Sequence, residues 1–411
     1  MKKIKHIFII FALLISVTVN IFAFDEKEAE LELKYFNEVH EEVKQASTDA
    51  SKEPTTYSRA VAIFDRTSKT VIYGKNENDV RAMASTTKIM TAVVLIENAD
   101  LSRVVEVSEN AAGTDGSRLG LKTGDKITLN DLLYGLMLCS GNDAAVQIAE
   151  TIGGSVPGFA EMMNKKAKEL GLVNTSFTSP HGLDGDGHHT TAYELAVLTD
   201  YALNNAKFAE VVATKHYTVT INGNSKNLNN TNELLGYLQG VNGVKTGFTN
   251  NALRCLVTST LRNNFNIITV VLGADTKKIR TLDSIKLIEY AYENYEQVDI
   301  SKMISEEYEK WKPTYKININ KGIKSEVQTK LGEQKYTMYP IKKEDRQNIK
   351  LKVNETNYVE APLLENSKLG SIDVLVNDKV IYTVDILSNE SVRKKEIRDY
   401  FFNMIGSYSK I

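Results

Sequence analysis

The segment Ser85–Glu97 constrains the fold of this chain more than any other stretch. After its first turn it is nearly all apolar, with Ile89, Met90, Ala92, Val93, Val94, Leu95 and Ile96 in close succession. A helix that is apolar on every side belongs inside a domain, so other elements must wrap it. The chain has 411 residues, 42% of them apolar, which is enough for that domain and a further one. Strand signals stand on both sides of the helical stretches. Ala60–Phe64 and Thr70–Tyr73 flank the turn Asp65–Lys69, and Cys255–Leu261 and Phe265–Ala274 meet at Asn263-Asn264. Leu132–Ile152, Phe159–Leu170 and Thr281–Tyr295 carry helical spacing. Together they predict an α+β domain over residues 56–297 whose first and last strands share one sheet.

The flanks read differently. Lys2, Lys3 and Lys5 precede an apolar run from Ile7 to Val19, and Ala23 offers a small residue beyond it. This is the pattern of a secretory signal peptide over residues 1–23, so the mature chain is expected to be exported. Residues 24–55 are polar and acidic and read as a linker. After Val298, short β runs and the turn Asn377-Asp378 predict an all-β domain over residues 298–388. In residues 389–411, Ile397, Phe401, Met404, Ile405 and Tyr408 form one helical stripe beside Arg393, Lys394, Lys395 and Arg398. That tail is too short and too charged to span a bilayer, but it suits a helix lying in the membrane interface.

Composition closes several routes. With 50 Lys+Arg against 52 Asp+Glu the net charge is −2, so no general affinity for nucleic acid is expected. Two cysteines, Cys139 and Cys255, cannot build a disulfide scaffold or a four-thiolate zinc site. They allow one bridge or two free thiols, and Cys139 reads as a packing thiol. His181, Asp184, Asp186, His188 and His189 crowd together, but without a metal-ligand spacing they read as a polar loop near the site.

Three short motifs carry the chemistry, and each also occurs elsewhere in the chain. Ser85-Thr-Thr-Lys88 has the pattern of Ser391–Lys394 and Ser407–Lys410. Ser140-Gly-Asn142 has that of Ser108–Asn110 and Ser225–Asn227, and Lys245-Thr-Gly247 that of Lys122-Thr-Gly124. Context selects the first of each set. Ser85 opens the buried helix, near the positive end of its dipole, and Lys88 follows at the spacing of one helix face. A lysine there, partly desolvated, can lose its proton and act as a base toward the serine. Ser140 and Asn142 sit at a junction beside the core. Lys245-Thr246-Gly247 lies in a strand-like stretch whose glycine lets a substrate backbone approach.

In this order the motifs resemble those of penicillin-binding proteins and serine β-lactamases. The wider blocks, Arg81–Thr91, Leu132–Ala145, Pro180–Asp184, His188–Ala196 and Gly243–Thr249, resemble the low-molecular-mass D-alanyl-D-alanine carboxypeptidases. The resemblance implies a transpeptidase-like α+β domain, an antiparallel sheet with helices on both sides, then a small β domain and an amphipathic anchor helix. It implies a serine peptidase needing no cofactor, which acts on peptidoglycan peptides ending in D-Ala-D-Ala and is acylated by β-lactams. The anchor would hold it on the outer face of the cytoplasmic membrane. By resemblance Ser85 is the nucleophile, Lys88 its base, and Ser140 the group passing a proton to the leaving D-alanine, with Lys245 supporting that network. Asn142 would hold the donor's amide, and the N–H groups of Ser85 and Phe248 would form the oxyanion hole. Thr246, beside Gly247, would bind the terminal carboxylate, with Arg280 assisting from the next strand edge. One departure is Ala252-Leu253, where the family usually has Ala-Gly. A β-lactamase is a rival reading, but Glu169-Leu-Gly-Leu-Val-Asn174 has the wrong spacing for the class A deacylating glutamate. A non-catalytic wall-binding protein is a second rival, and the full set of polar site residues argues against it.

Overall fold

Strand, turn and helix signals of this kind settle into two compact units in the computed structural model, which describes residues 53–401. The expected signal peptide, most of the expected linker and the end of the tail lie outside the described residues. The first unit reaches to Phe64 and resumes over Val71–Glu293, while the turn Asp65–Thr70 groups with the second.

The first unit is built on strands β1 (Ala60–Asp65), β2 (Thr70–Lys75), β3 (Val241–Thr249), β4 (Leu253–Arg262) and β5 (Phe265–Ala274). They form one sheet in the order β2-β1-β5-β4-β3, so strands from the two ends of the domain are neighbours, as expected. Both β3 and β5 pair antiparallel with β4. Asn263 and Asn264, between β4 and β5, both have positive φ (49° and 62°), the conformation of a two-residue hairpin turn matched to strand twist.

Helices cover both faces of this sheet. They are α1 (Lys88–Asn98), α2 (Leu129–Met137), α3 (Asn142–Gly153), α4 (Val156–Glu169), α5 (Ala192–Leu203) and α6 (Lys277–Asn294). Helix α1 is buried from Lys88 through Leu95 and touches α2, α3, α4 and α5. Its Ile89, Met90 and Val94 share one core with Val257, Ile268 and Val270 of the sheet. The opposite face, represented by Val241 and Leu256, packs on Leu282, Ile285 and Ile288 of α6. Alternate residues of β4 therefore serve two cores, which is why that strand is buried from Cys255 through Thr260.

Two expected boundaries shift. Ser85 lies in a 3-10 turn, Ala84–Thr87, and the α-helix starts at Lys88. The hydroxyls of Thr86 and Thr87 donate to the carbonyls of Met83 (2.6 Å) and Ala84 (2.7 Å), tightening that turn locally. The expected helix Leu132–Ile152 is two helices, broken where Ser140 takes a positive φ of 61°.

The second unit begins with Tyr295–Asp299, which pairs antiparallel with Met338–Lys342. A helix, Ile300–Trp311, leads into two further sheets. One has four strands in the order Thr329–Leu331, Lys379–Ser388, Lys368–Val376, Ile349–Glu355. The other has three strands centred on Ile317–Asn320. Asn377 and Asp378 make the expected hairpin turn with φ of 49° and 62°. The tail departs from expectation. Val392 is buried and bridges Leu363, Lys394 bridges Gly322, and helical residues begin only at 397. The apolar Val392 gains more by joining the core of Leu363 and Leu369 than by extending the helix backward.

Leu253, at the position where the family usually has glycine, holds a left-handed φ of 57° at the start of β4. That conformation costs a leucine on the order of 1 kcal/mol and a β-branched residue more. Leu253→Gly is expected to keep or raise the thermal midpoint, and Leu253→Val to lower stability by about 1–2 kcal/mol. Denaturant titration of the two variants beside the parent checks this, and equal midpoints for all three would remove the strain argument.

Candidate active site

The 3-10 turn that carries Ser85 is held in an uncommon shape. Ala84, just before the serine, has a positive φ of 49°. Gly182 lies against it so closely, itself at φ 85°, that any Cβ would overlap the Ala84 carbonyl and the Thr87 hydroxyl. His188 braces the same turn: its Nε2 lies 2.7 Å from Thr87 Oγ1, and Thr178 N donates to its Nδ1 (3.0 Å). The Thr87 hydroxyl already donates to Ala84 O, so Nε2 must carry the proton. Burial, with His189 nearby, pushes the His188 pKa down to about 4 and keeps the ring neutral. Asp184 accepts from Thr249 Oγ1 (2.6 Å) and Asn251 N (3.2 Å). The His/Asp stretch thus braces the loop, as its reading as a polar loop near the site anticipates.

Lys88 is fully buried. Its Nζ lies 2.9 Å from Ser85 Oγ, 2.7 Å from Asn142 Oδ1 and 2.9 Å from the His181 carbonyl. Burial, then the nearby Lys245, holds its pKa well below the ordinary lysine value. A neutral amine has two N–H donors and one lone pair. Asn142 Oδ1 and His181 O can only accept, so they take the two protons and leave the lone pair facing the Ser85 hydroxyl. This arrangement can draw a proton from the serine.

Asn142, expected to hold the donor's amide, is also tied into the protein in this structure. It is buried, with Oδ1 engaged by Lys88 and Nδ2 donating to Asp115 O (2.7 Å). These two bonds use one of the two Nδ2 donors and leave the other N–H uncommitted. The next residue, Asp143, accepts from the N–H groups of Leu119 (2.7 Å), Gly120 (2.7 Å) and Leu121 (3.0 Å), which ties that loop to α3.

Ser85, Ser140, Thr246, Gly247, Phe248 and Arg280 line one cavity of about 670 Å³. A Cβ on Gly247 would stand 3.1 Å from Ser85 N, a tight contact that glycine avoids where β3 runs close to the turn. Thr246 Oγ1 is 2.8 Å from Thr231 Oγ1. Lys245 is buried, donates to Thr246 O (3.1 Å), and burial pushes its pKa down to about 7. Cys139 is a free thiol 3.1 Å from Gly135 O, and Cys255 is free and buried in β4.

Arg280 is corrected in place and surroundings. It stands on α6 rather than at a strand edge, is buried, and is ion-paired with Glu233, which also accepts from Thr281 Oγ1 (2.8 Å). The sequence reading missed six further residues of the cavity wall: Ser117, Asn230, Thr231, Glu233, Arg254 and Lys277. A hairpin register counted across the turn Thr249–Leu253 places Arg254 opposite Phe248, so that one had a signal. Glu233 had none. The duplicate motifs go elsewhere: Ser108 caps Glu109–Ala112, Ser225 and Asn227 lie on the exposed strand Asn224–Asn229, and Lys122–Gly124 forms a turn. Ser391 accepts from Glu365 N in the second unit, and Ser407–Lys410 lies outside the described residues.

Known proteins align with this arrangement. The family model described as D-alanyl-D-alanine carboxypeptidase matches residues 46–276, and that of the C-terminal domain of penicillin-binding protein 5 matches residues 302–394. The chain is 32% identical to the D-alanyl-D-alanine carboxypeptidase DacF of Bacillus subtilis, over 86% of this chain and 90% of that one. It is 31% identical to DacD of Escherichia coli, over 85% and 91%. Among solved structures, penicillin-binding protein 5 of Haemophilus influenzae superposes with a TM-score of 0.71 at 27% identity, covering 84% of this chain and 99% of the other. The DD-transpeptidase of Streptomyces K15 gives 0.57 at 33% identity, covering 59% and 99%. With its sheet, its serine set against a buried lysine and matches along both units, the chain belongs to the D-alanyl-D-alanine carboxypeptidase family of penicillin-binding proteins.

Proposed function

We propose that this chain removes the terminal D-alanine from peptidoglycan peptides ending in D-Ala-D-Ala, through an acyl-enzyme on Ser85, and that penicillins acylate the same serine. The observation that carries the reading is Lys88 Nζ at 2.9 Å from Ser85 Oγ in a fully buried setting. As Ser85 Oγ bonds to the penultimate carbonyl carbon, its proton passes to the Lys88 amine. Charge gathers on the carbonyl oxygen, where the N–H groups of Ser85 and Phe248 receive it. The tetrahedral centre then collapses, the C–N bond breaks, and the D-alanine nitrogen takes a proton through Ser140, supported by Lys245. Water cleaves the ester in the reverse sense, with Lys88 drawing its proton. Thr246 binds the terminal carboxylate, while Asn142 acts by positioning Lys88.

The same reading takes the chain as exported, and either peripheral on the outer face of the cytoplasmic membrane or extracellular. Among the described residues no helix is long and apolar enough to cross a membrane. Ile397, Tyr400 and Phe401 are exposed where the tail helix begins, which supports an interfacial anchor.

Incubation with benzylpenicillin followed by intact-mass measurement, beside D-alanine release from a D-Ala-D-Ala peptide, tests the activity. A slowly lost adduct together with alanine release is expected. Ser85→Ala should abolish both at a cost of at most about 1 kcal/mol in stability, and an adduct in that variant would refute the nucleophile.

Acylation should also report the state of Lys88. As pH falls the amine gains a proton and loses its lone pair, so the acylation rate should drop along an acid limb. That limb should lie well below the ordinary lysine value, because burial disfavours the ammonium. Lys88→Arg keeps a cation but removes the base, and a loss of roughly 10²–10⁴-fold is expected. A variant that acylates at the parent rate would assign the proton to another group.

Deleting residues 397–411, which spares the bridged Val392 and Lys394, should release the protein from anionic vesicles without loss of peptidase activity. Co-sedimentation equal to that of the full chain would exclude the tail as anchor.

A further inference from the structure

The carbonyl of Ala84 and the nitrogen of Ser85 belong to one peptide unit, and this unit is held from behind. It is a trans peptide, planar, with its C=O and N–H pointing in opposite directions, so whatever fixes the Ala84 oxygen also aims the Ser85 N–H. The Ala84 oxygen accepts from Thr87 Oγ1 (2.7 Å) and is closed in by Gly182. On the other side, Ser85 N lies beside Gly247 of β3. The Thr87 hydroxyl has one proton, which goes to Ala84, so its lone pairs receive the Nε2–H of His188 at 2.7 Å. His188 is fixed in turn by the Thr178 N–H on its Nδ1 (3.0 Å) and by the Phe177 ring, set edge-to-face at 5.9 Å. Ala84, Thr87 and His188 are all buried. The series Thr178 N–H, His188, Thr87, Ala84 C=O donates in one direction throughout, so each bond polarises the next. The Ala84–Ser85 amide stands at its end, and polarisation of its carbonyl strengthens its N–H as a donor.

We propose that His188 is a positioning residue of the acylation step: through Thr87 it aims and polarises the Ser85 N–H, the donor that receives the carbonyl oxygen as the tetrahedral centre forms. The assignment rests on the acyl-enzyme reading above and adds a part that lies outside the substrate cavity, whose wall includes neither His188 nor Thr87. It also accounts for the φ of 49° at Ala84, since a left-handed alanine persists only where its neighbours fix it. His188 acts on the reaction only through the direction and strength of one N–H. Such a donor is worth more to the transition state than to the bound ground state, so its loss falls on the rate of acylation and not on binding.

The test follows acylation by benzylpenicillin over a series of drug concentrations, which separates the Kd of the noncovalent complex from the rate constant of acylation. It also records the infrared stretching band of the ester carbonyl in the adduct, isolated by carbon-13 labelling. Thr87→Val removes the hydroxyl with little change of shape, and the amide of His188→Asn reaches only the place of Nδ1. Both should slow acylation roughly 10–100-fold with Kd unchanged. In both the carbonyl band should move to higher frequency, because a weaker hydrogen bond leaves more double-bond character. Thr87→Ser keeps the hydroxyl, and the amide of His188→Gln reaches the place of Nε2, so each should recover rate and band together. A merely structural role would lower the melting temperature and the fraction of protein that acylates, without moving the band of the adduct that forms. The assignment is overturned if the band keeps the parent's frequency in Thr87→Val and His188→Asn, or if His188→Gln recovers no more than His188→Asn. Failure of the underlying activity has its own signature, a parent protein that forms no adduct at any drug concentration, and this would overturn both.

Discussion

The rest of the first unit is arranged around one unfavourable act, the burial of the Lys88 amine. Removing an ammonium from water costs several kcal/mol unless the proton leaves or partners replace the solvent. Here both occur. Two carbonyl oxygens, from Asn142 and His181, satisfy the N–H groups, and a second buried lysine discourages the charged form. Each partner needs its own support. Asn142 is held by Asp115 O, and His181 is followed by Gly182, which fits only as glycine against the Ala84 carbonyl. The surrounding apolar helices supply the low dielectric that makes the amine basic in the useful sense.

Much of this was legible in the residues. The apolar run Ile89–Ile96 required a wrapped helix, and the α+β order with neighbouring terminal strands followed from where strand signals stood. Ser85, Lys88, Ser140 and Thr246 are brought together as their motifs implied. What the sequence withheld was local and conformational. The break at Ser140 depends on a positive φ in a non-glycine residue, which no propensity announces. The 3-10 turn at Ser85 depends on two threonine hydroxyls turning back on their own backbone. Arg280 was misplaced because an arginine's reach says nothing about which acid it meets, and Glu233 stands 47 residues away in the chain. The start of the tail was drawn too early because the basic run Arg393–Lys395 was read as the helix's first turns, whereas Val392 beside it joins a β core.

The two lysines of the site illustrate division of labour under one constraint. Lys88 and Lys245 are both buried; Lys245 makes Lys88 harder to protonate, while burial and the nearby Arg280 lower the Lys245 pKa. Lys245 is anchored on the carbonyl of its own strand neighbour, Thr246, whereas Lys88 faces the serine. The polar wall of the cavity then has Ser85 beside α1 on one side and Thr246, Arg254 and Arg280 of β3, β4 and α6 on the other.

The sheet order also bears on how the polypeptide reaches this state. Because β1 lies beside β5, the central sheet cannot close until a segment more than two hundred residues downstream has been synthesised. Such non-local pairing must pay a large loop-closure entropy before any contact repays it, so it forms late. The tether of Ser58 to Asp283, spanning 225 positions, adds a second late event at the same edge. An emerging chain of this topology stays open and threadable while its helices form locally. Under the export proposed for this chain, that delay would suit passage through a narrow translocation channel before folding.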